Sequence, residues 1–175
     1  MTVWWITLAS SYLLCLVAGM NAKTVYSNGY YTKKYNKFFS FMSVAILVLV
    51  AGLRSGIGDT PTYIQGYKTD APSTIAGSIK LLFSGKKDAG FYFYQGILKS
   101  IVNNPNVFIF VTSLITIVLI FITYYKYSQL LELSVFLFIT TGCYLVTMNG
   151  IRQYLASAIL FFCFSLIHVR KWYIY

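Results

Sequence analysis

Val107–Tyr125 reads VFIFVTSLITIVLIFITYY, a run with no charged residue and no proline. Its length matches the roughly 20 apolar residues an α-helix needs to cross the hydrocarbon of a bilayer. Comparable runs occur on either side, so helical spans are expected near residues 3–20, 38–53, 107–125, 130–148 and 151–169. The composition is 58% hydrophobic and 10% charged, whereas soluble domains carry about 25% charged residues. So little charge cannot cover a water-facing surface. The expected fold class is all-α: a polytopic transmembrane helix bundle of about five spans. It forms one membrane-embedded domain over residues 1–175, with a long extracytoplasmic loop at 54–106 carrying short amphipathic helices.

The charges set the orientation. No Lys or Arg precedes Lys23, so the first run reads as a retained helix with its N-terminus outside rather than as a signal peptide. On that topology the inner short segments hold Lys23, Lys33, Lys34, Lys37, Lys126, Arg170 and Lys171, and the short outer loop holds Arg152. This is the positive-inside bias. The net charge of +10 lies in the gaps between apolar runs, which favours lipid headgroups or an anionic ligand over nucleic acid. Tyr26, Tyr30, Tyr31 and Tyr35 alternate with the first lysines and read as headgroup anchors. Trp172, Tyr173 and Tyr175 read as an aromatic belt at the mouth of a further helix, and the chain as the N-terminal half of a longer protein.

The 54–106 loop holds Pro61, Pro72 and Pro105 and three of the four acidic residues. Ser73 is placed to cap a short helix whose apolar face is Ile75, Ile79, Leu82 and Phe83, lying in the interface. Gly85 to Gly90 reads as a turn, Phe91 to Val102 as a second amphipathic piece, and Asn103–Pro105 as its break. Asp70 and Asp88 read as solvated turn residues, Glu132 and His168 as inner helix-end residues. Cys15, Cys143 and Cys163 read as buried, unpaired thiols. One His and four acids assemble neither a catalytic triad nor a metal cluster, and no cofactor is expected.

Two strings carry candidate chemistry. Gly52–Thr60 reads GLRSGIGDT at the exit of the second span. Gly56 and Gly58 permit backbone shapes that turn N–H groups toward an anion. Arg54 supplies a bidentate donor, and Asp59 a base or an orienter of Arg54. The alternative is an interfacial turn with a snorkelling Arg and a helix-capping Asp. Asn149–Gln153 reads NGIRQ, placing Arg152 and Gln153 at a helix N-terminus, which already favours anions. Two arginines on one outer cleft would suit a pyrophosphate, and snorkelling anchors are the alternative. Tyr63, Tyr67, Tyr92 and Tyr94 are candidate platforms for sugar rings, with interfacial anchoring as the alternative.

GLRSGIGDT from Gly52, followed by Tyr63, resembles the signature of the EpsG family of exopolysaccharide-cluster membrane proteins, which is related to Wzy-type polymerases. DAGFYFYQGILKSI from Asp88 and MNGIRQYLA from Met148 follow in the family's order, and the resemblance covers nearly the whole chain. It implies a protein about twice this length in the bacterial cytoplasmic membrane, with undecaprenyl-pyrophosphate-linked oligosaccharide as substrate. Other polysaccharide-synthesis membrane proteins are implied as partners. The implied activity is joining of repeat units at the outer face, with Arg54, Asp59 and Arg152 catalytic and Gly56, Gly58, Thr60, Tyr63 and Gln153 binding substrate. A flippase, a scaffold or an inactive truncated product is the competing reading. Charges gathered at one rim, rather than deep in the spans, favour chemistry at the surface.

Overall fold

The computed structural model describes residues 2–20, 22–27, 30–85 and 87–168. Arg170 and Lys171, read above as inner charges, and Trp172, Tyr173 and Tyr175, read as an aromatic belt, lie outside them, as does the side chain of His168.

The chain is mostly helical. Five helices form the bundle: α1 (Thr2–Met20), α2 (Lys37–Gly52), α6 (Pro105–Tyr127), α7 (Leu131–Thr140) and α9 (Ile151–His168). Packing runs from α7 to α1, α2, α6 and α9, with α6 between α2 and α9. The short helix α8 (Cys143–Asn149) follows α7. By length and composition α1 and α6 can each cross a membrane, and α7 with α8 passes as one span bent by 55°. Gly142 makes the bend, at φ 80, a left-handed backbone that glycine adopts without steric cost. α2 and the described part of α9 are apolar but shorter. The all-helical expectation is met by the apolar runs. The basic, tyrosine-rich link instead forms an antiparallel hairpin of β1 (Lys23–Ser27) and β2 (Tyr30–Lys34), with Lys23 opposite Lys34.

The bundle buries an apolar core that includes Leu47, Ile117, Phe121 and Val135, but it also buries small and hydroxyl residues and turns large apolar side chains outward. The inward face of α1 is Thr7, Ser11, Cys15 and Ala18, while Trp5 is 69% exposed and Ile6 67%. α6 likewise buries Thr112, Ser113, Thr116 and Thr123. Lipid tails repay the exposed apolar side chains, and small residues let helix backbones approach closely. Several inward hydroxyls bond within their own helices, as in Thr7 Oγ1 to the Val3 carbonyl at 2.7 Å and Thr112 Oγ1 to the Phe108 carbonyl at 2.7 Å. At the α1–α2 seam, Ser43 Oγ donates to the Ser11 carbonyl at 3.1 Å, and Cys15 Sγ to Ser43 Oγ at 3.1 Å.

The bundle has two distinct ends. At the hairpin end, Tyr35 is buried. Its hydroxyl donates to the Ser128 carbonyl and accepts from the Leu131 N–H, each at 3.1 Å, tying the hairpin exit to the α6–α7 turn. At the other end, residues 54–106 hold three short helices: α3 (Thr60–Thr69), α4 (Ile75–Leu82) and α5 (Ala89–Ile101). The cap of α4 is Thr74 rather than Ser73, and its hydroxyl accepts from the Gly77 N–H at 3.2 Å. α3 and α5 seat on the start of α6. Tyr67 stacks on Phe108 at 4.7 Å, and Tyr94 shares a 2.9 Å hydrogen bond with Thr112. Ile75, Ile79, Leu82 and Phe83 all face outward from α4.

Candidate functional site

The GLRSGIGDT segment leaves α2 through the cap residue Leu53, and Arg54 then turns its guanidinium back into the bundle, leaving it 8% exposed. Its Nε donates to Thr60 Oγ1 at 2.9 Å. Nη1 donates to the Ala51 carbonyl at 2.5 Å and to Ser113 Oγ at 2.9 Å, and Nη2 to the Met148 carbonyl at 3.2 Å. These bonds join α2, α3, α6 and α8 through one side chain. All four acceptors are neutral. Burial works against the charged form and pulls the Arg54 pKa down to about 10, which leaves it cationic at neutral pH. Thr60 is wholly buried and donates onward to the Ile57 carbonyl at 2.6 Å.

Asp59 is exposed at the cap position of α3 and makes no side-chain cap bond. The structure does not pair it with Arg54, whose partners are those named above. Gly56 stands in open space. Gly58 has φ +56, and a Cβ there would overlap the side-chain oxygen of Asn149. The two sequence motifs therefore meet: Asn149 of NGIRQ lies on Gly58 of GLRSGIGDT, and Arg54 holds the carbonyl of the preceding Met148. The buried Asn149 Oδ1 has no hydrogen-bond partner among the described residues.

Arg152, in the first turn of α9, points the other way. Its side chain is 44% exposed, and Nη1 donates to Asp88 Oδ2 at 2.5 Å. Its guanidinium lies 6.0 Å from the centre of the Tyr63 ring. Two clefts meet at this residue. The smaller, of about 120 Å³, is lined by Thr62, Tyr63, Asp70, Tyr92 and Gln95 with Arg152. The larger is an open cleft of about 580 Å³ between α5, α6 and α9. Its walls include Tyr94, Ile115, Leu155 and Ile159, and Asp88, Arg152 and Gln153 supply its polar part.

The structure thus brings together Arg152, Tyr63 and Gln153 around open space, and separately Arg54, Thr60 and Ser113 inside the bundle. Arg54 lines neither cleft. Asp88 is an exposed turn residue, as read, and it also pairs with Arg152. One reading needs correction. Cys143 is exposed and Cys163 half-buried, so only Cys15 is a buried thiol. Sequence reasoning also missed Ser113 and the Met148 carbonyl as partners of Arg54. A serine inside an apolar run and a backbone oxygen carry no local signal. Asp88 had one, an acid within a motif otherwise rich in aromatics. Among the described residues no three His, Cys, Asp or Glu side chains are grouped to hold a metal ion.

Neither the curated proteins nor the solved structures contain a match to this chain. The family model described as "EpsG family" matches residues 37–175, a stretch that takes in both arginine motifs, the short helices and the cleft. The chain belongs to the EpsG family and is a membrane protein of polysaccharide biosynthesis.

Proposed function

We propose that this chain is part of a polymerase joining lipid-linked oligosaccharide units at the outer face of the bacterial cytoplasmic membrane. The observation that carries the reading is Arg152, an accessible guanidinium at the mouth of a largely apolar cleft. The cleft can take a lipid chain while the guanidinium takes its pyrophosphate. In the reaction the hydroxyl of one unit attacks the anomeric carbon of the other. The bond from that carbon to the lipid pyrophosphate breaks, and the leaving group carries away the electron pair. Arg152 stabilises the growing charge. Asp59, exposed at the start of α3, is the proposed acceptor of the hydroxyl proton. Tyr63 and Gln153 border the clefts as sugar contacts. Arg54 acts through the backbone it holds, because its bond to the Met148 carbonyl positions the turn that presents Arg152. The five-span, N-terminus-outside topology belongs to the same proposal, with α7 and α8 as one bent span.

The test uses the full-length protein, purified and given lipid-linked repeat units. Elongation is expected, and Arg152→Ala is expected to lower its rate by about 10²–10³, the loss seen when one donor to a developing anion is removed. Units that cross vesicle membranes without being joined would replace this reading with that of a flippase.

A further inference from the structure

Asp88 combines three features. It is the one residue other than glycine with a positive φ among the described residues, at 60°. It occupies the cap position of α5, yet its side chain makes no cap hydrogen bond. Its carboxylate instead sits on Arg152 at 2.5 Å, at the polar rim of the larger cleft. An aspartate at a helix N-terminus ordinarily accepts from the first-turn N–H groups, which stabilises the helix by about 1 kcal/mol. Here that bond is forgone, and a sparsely populated backbone conformation is held, to place an anion on this guanidinium.

We propose that Asp88 is a placeholder for the phosphate of a single-chain lipid phosphate or diphosphate, which displaces it from Arg152 and lays its chain along α6 and α9. The identity of the lipid rests on the polymerase reading above; the placeholder contact rests on the geometry. Charge complementarity selects the occupant. The rim offers a guanidinium and the N-terminus of α5, both suited to an anion. Gly90, in the first turn of α5, has open space where a Cβ would lie, so backbone is accessible there. The wall below is apolar: Ile115 of α6, and Leu155, Ala156 and Ile159 of α9. These α9 positions lie three, four and seven residues after Arg152 and so form one stripe on the helix leading from it. An Arg–Asp pair this exposed is weak, so a doubly charged phosphate can replace the carboxylate.

The full chain in detergent is titrated with farnesyl diphosphate and, separately, with inorganic pyrophosphate. Asp88→Asn is the decisive variant, because asparagine tolerates the left-handed backbone and removes only the charge. It is expected to bind farnesyl diphosphate about fivefold tighter, the upper scale of an exposed pair. Arg152→Gln is expected to abolish binding of both probes. Ala156→Trp is expected to weaken farnesyl diphosphate at least tenfold and leave pyrophosphate unchanged, which also shows that the variant is folded. Unchanged or weaker binding by Asp88→Asn would overturn the placeholder. Equal affinity for both probes, or displacement of farnesyl diphosphate by phosphatidylglycerol, would overturn the single-chain groove. Tight probe binding without elongation would sink the polymerase reading alone. Elongation without Asp88-sensitive binding would sink this inference alone.

Discussion

Gly58 shows how one residue can join two motifs. Its φ of +56 is unfavourable for any side chain, and the space a Cβ needs is filled by the Asn149 side chain. The left-handed backbone costs about 1–2 kcal/mol for a residue with a Cβ, and overpacking about 1–3 kcal/mol more. Gly58→Ala is therefore expected to destabilise the protein by about 2–5 kcal/mol, read as a lower thermal midpoint in detergent. Adding Asn149→Ala removes the overlap but not the backbone cost. The double variant should recover part of the loss, and a strictly additive result would show that the two residues do not touch. Arg54 is a second junction, with four of the five N–H donors of a guanidinium in use. The sequence marked both residues as unusual, because charge and glycine at a span exit are rarely incidental. Their partners were not legible. Ser113 lies 59 residues from Arg54 in the chain, and Asp88 lies 64 from Arg152. Pairings at such separations are decided by helix packing, for which a single sequence holds no periodic trace.

At the scale of elements, apolar run length located α1, α2, α6 and α9 well, because the cost of unsatisfied backbone in lipid leaves helix as the answer. It could not show the bend between α7 and α8. Glycine is common within membrane helices, so Gly142 read as part of a straight span until its φ of 80 was seen. Nor could it show the hairpin, whose signal lies elsewhere, in the Asn28-Gly29 dipeptide between the β-forming Thr24, Val25 and Tyr26 and Tyr30, Tyr31 and Thr32, while the pairing of Lys23 with Lys34 is a like-charge contact that works against the sheet. The inward face of α1 was hidden for a different reason: in lipid the buried stripe is the small, polar one. Ser11→Leu should therefore overpack the α1–α2 seam and destabilise by about 1–3 kcal/mol. Leu13→Phe, at a position 56% exposed, should change stability by less than about 0.5 kcal/mol. Thermal unfolding of both variants decides it, and the reverse order would mean that α1 presents its other face to the bundle.

At the scale of the whole molecule, the contacts place the cleft and the hairpin at opposite ends of the bundle. α2 begins beside the hairpin and ends at Arg54. α6 begins under Tyr67 and ends where the Tyr125 hydroxyl donates to the Tyr35 carbonyl at 3.0 Å. Among the short connections, Lys23, Lys33, Lys34 and Lys37 thus collect at one end with Lys126, and Arg152 with both clefts lies at the other, where the long 54–106 segment adds Arg54, Lys68, Lys80, Lys87 and Lys99. The proposed orientation takes the short basic segments as cytoplasmic, and on that proposal the clefts lie outside, where lipid-linked units would be joined. The expectation can be checked in living cells. In a background of Cys15→Ala, Cys143→Ala and Cys163→Ala, single cysteines replace Lys33, Asp59 and Gln153 in turn. A membrane-impermeant maleimide should tag positions 59 and 153 in intact cells and position 33 only after permeabilisation. Tagging of position 33 alone would invert the protein and bring Arg152 to the cytoplasmic face. Joining at the outer surface would then be impossible, although the cleft itself would be unchanged.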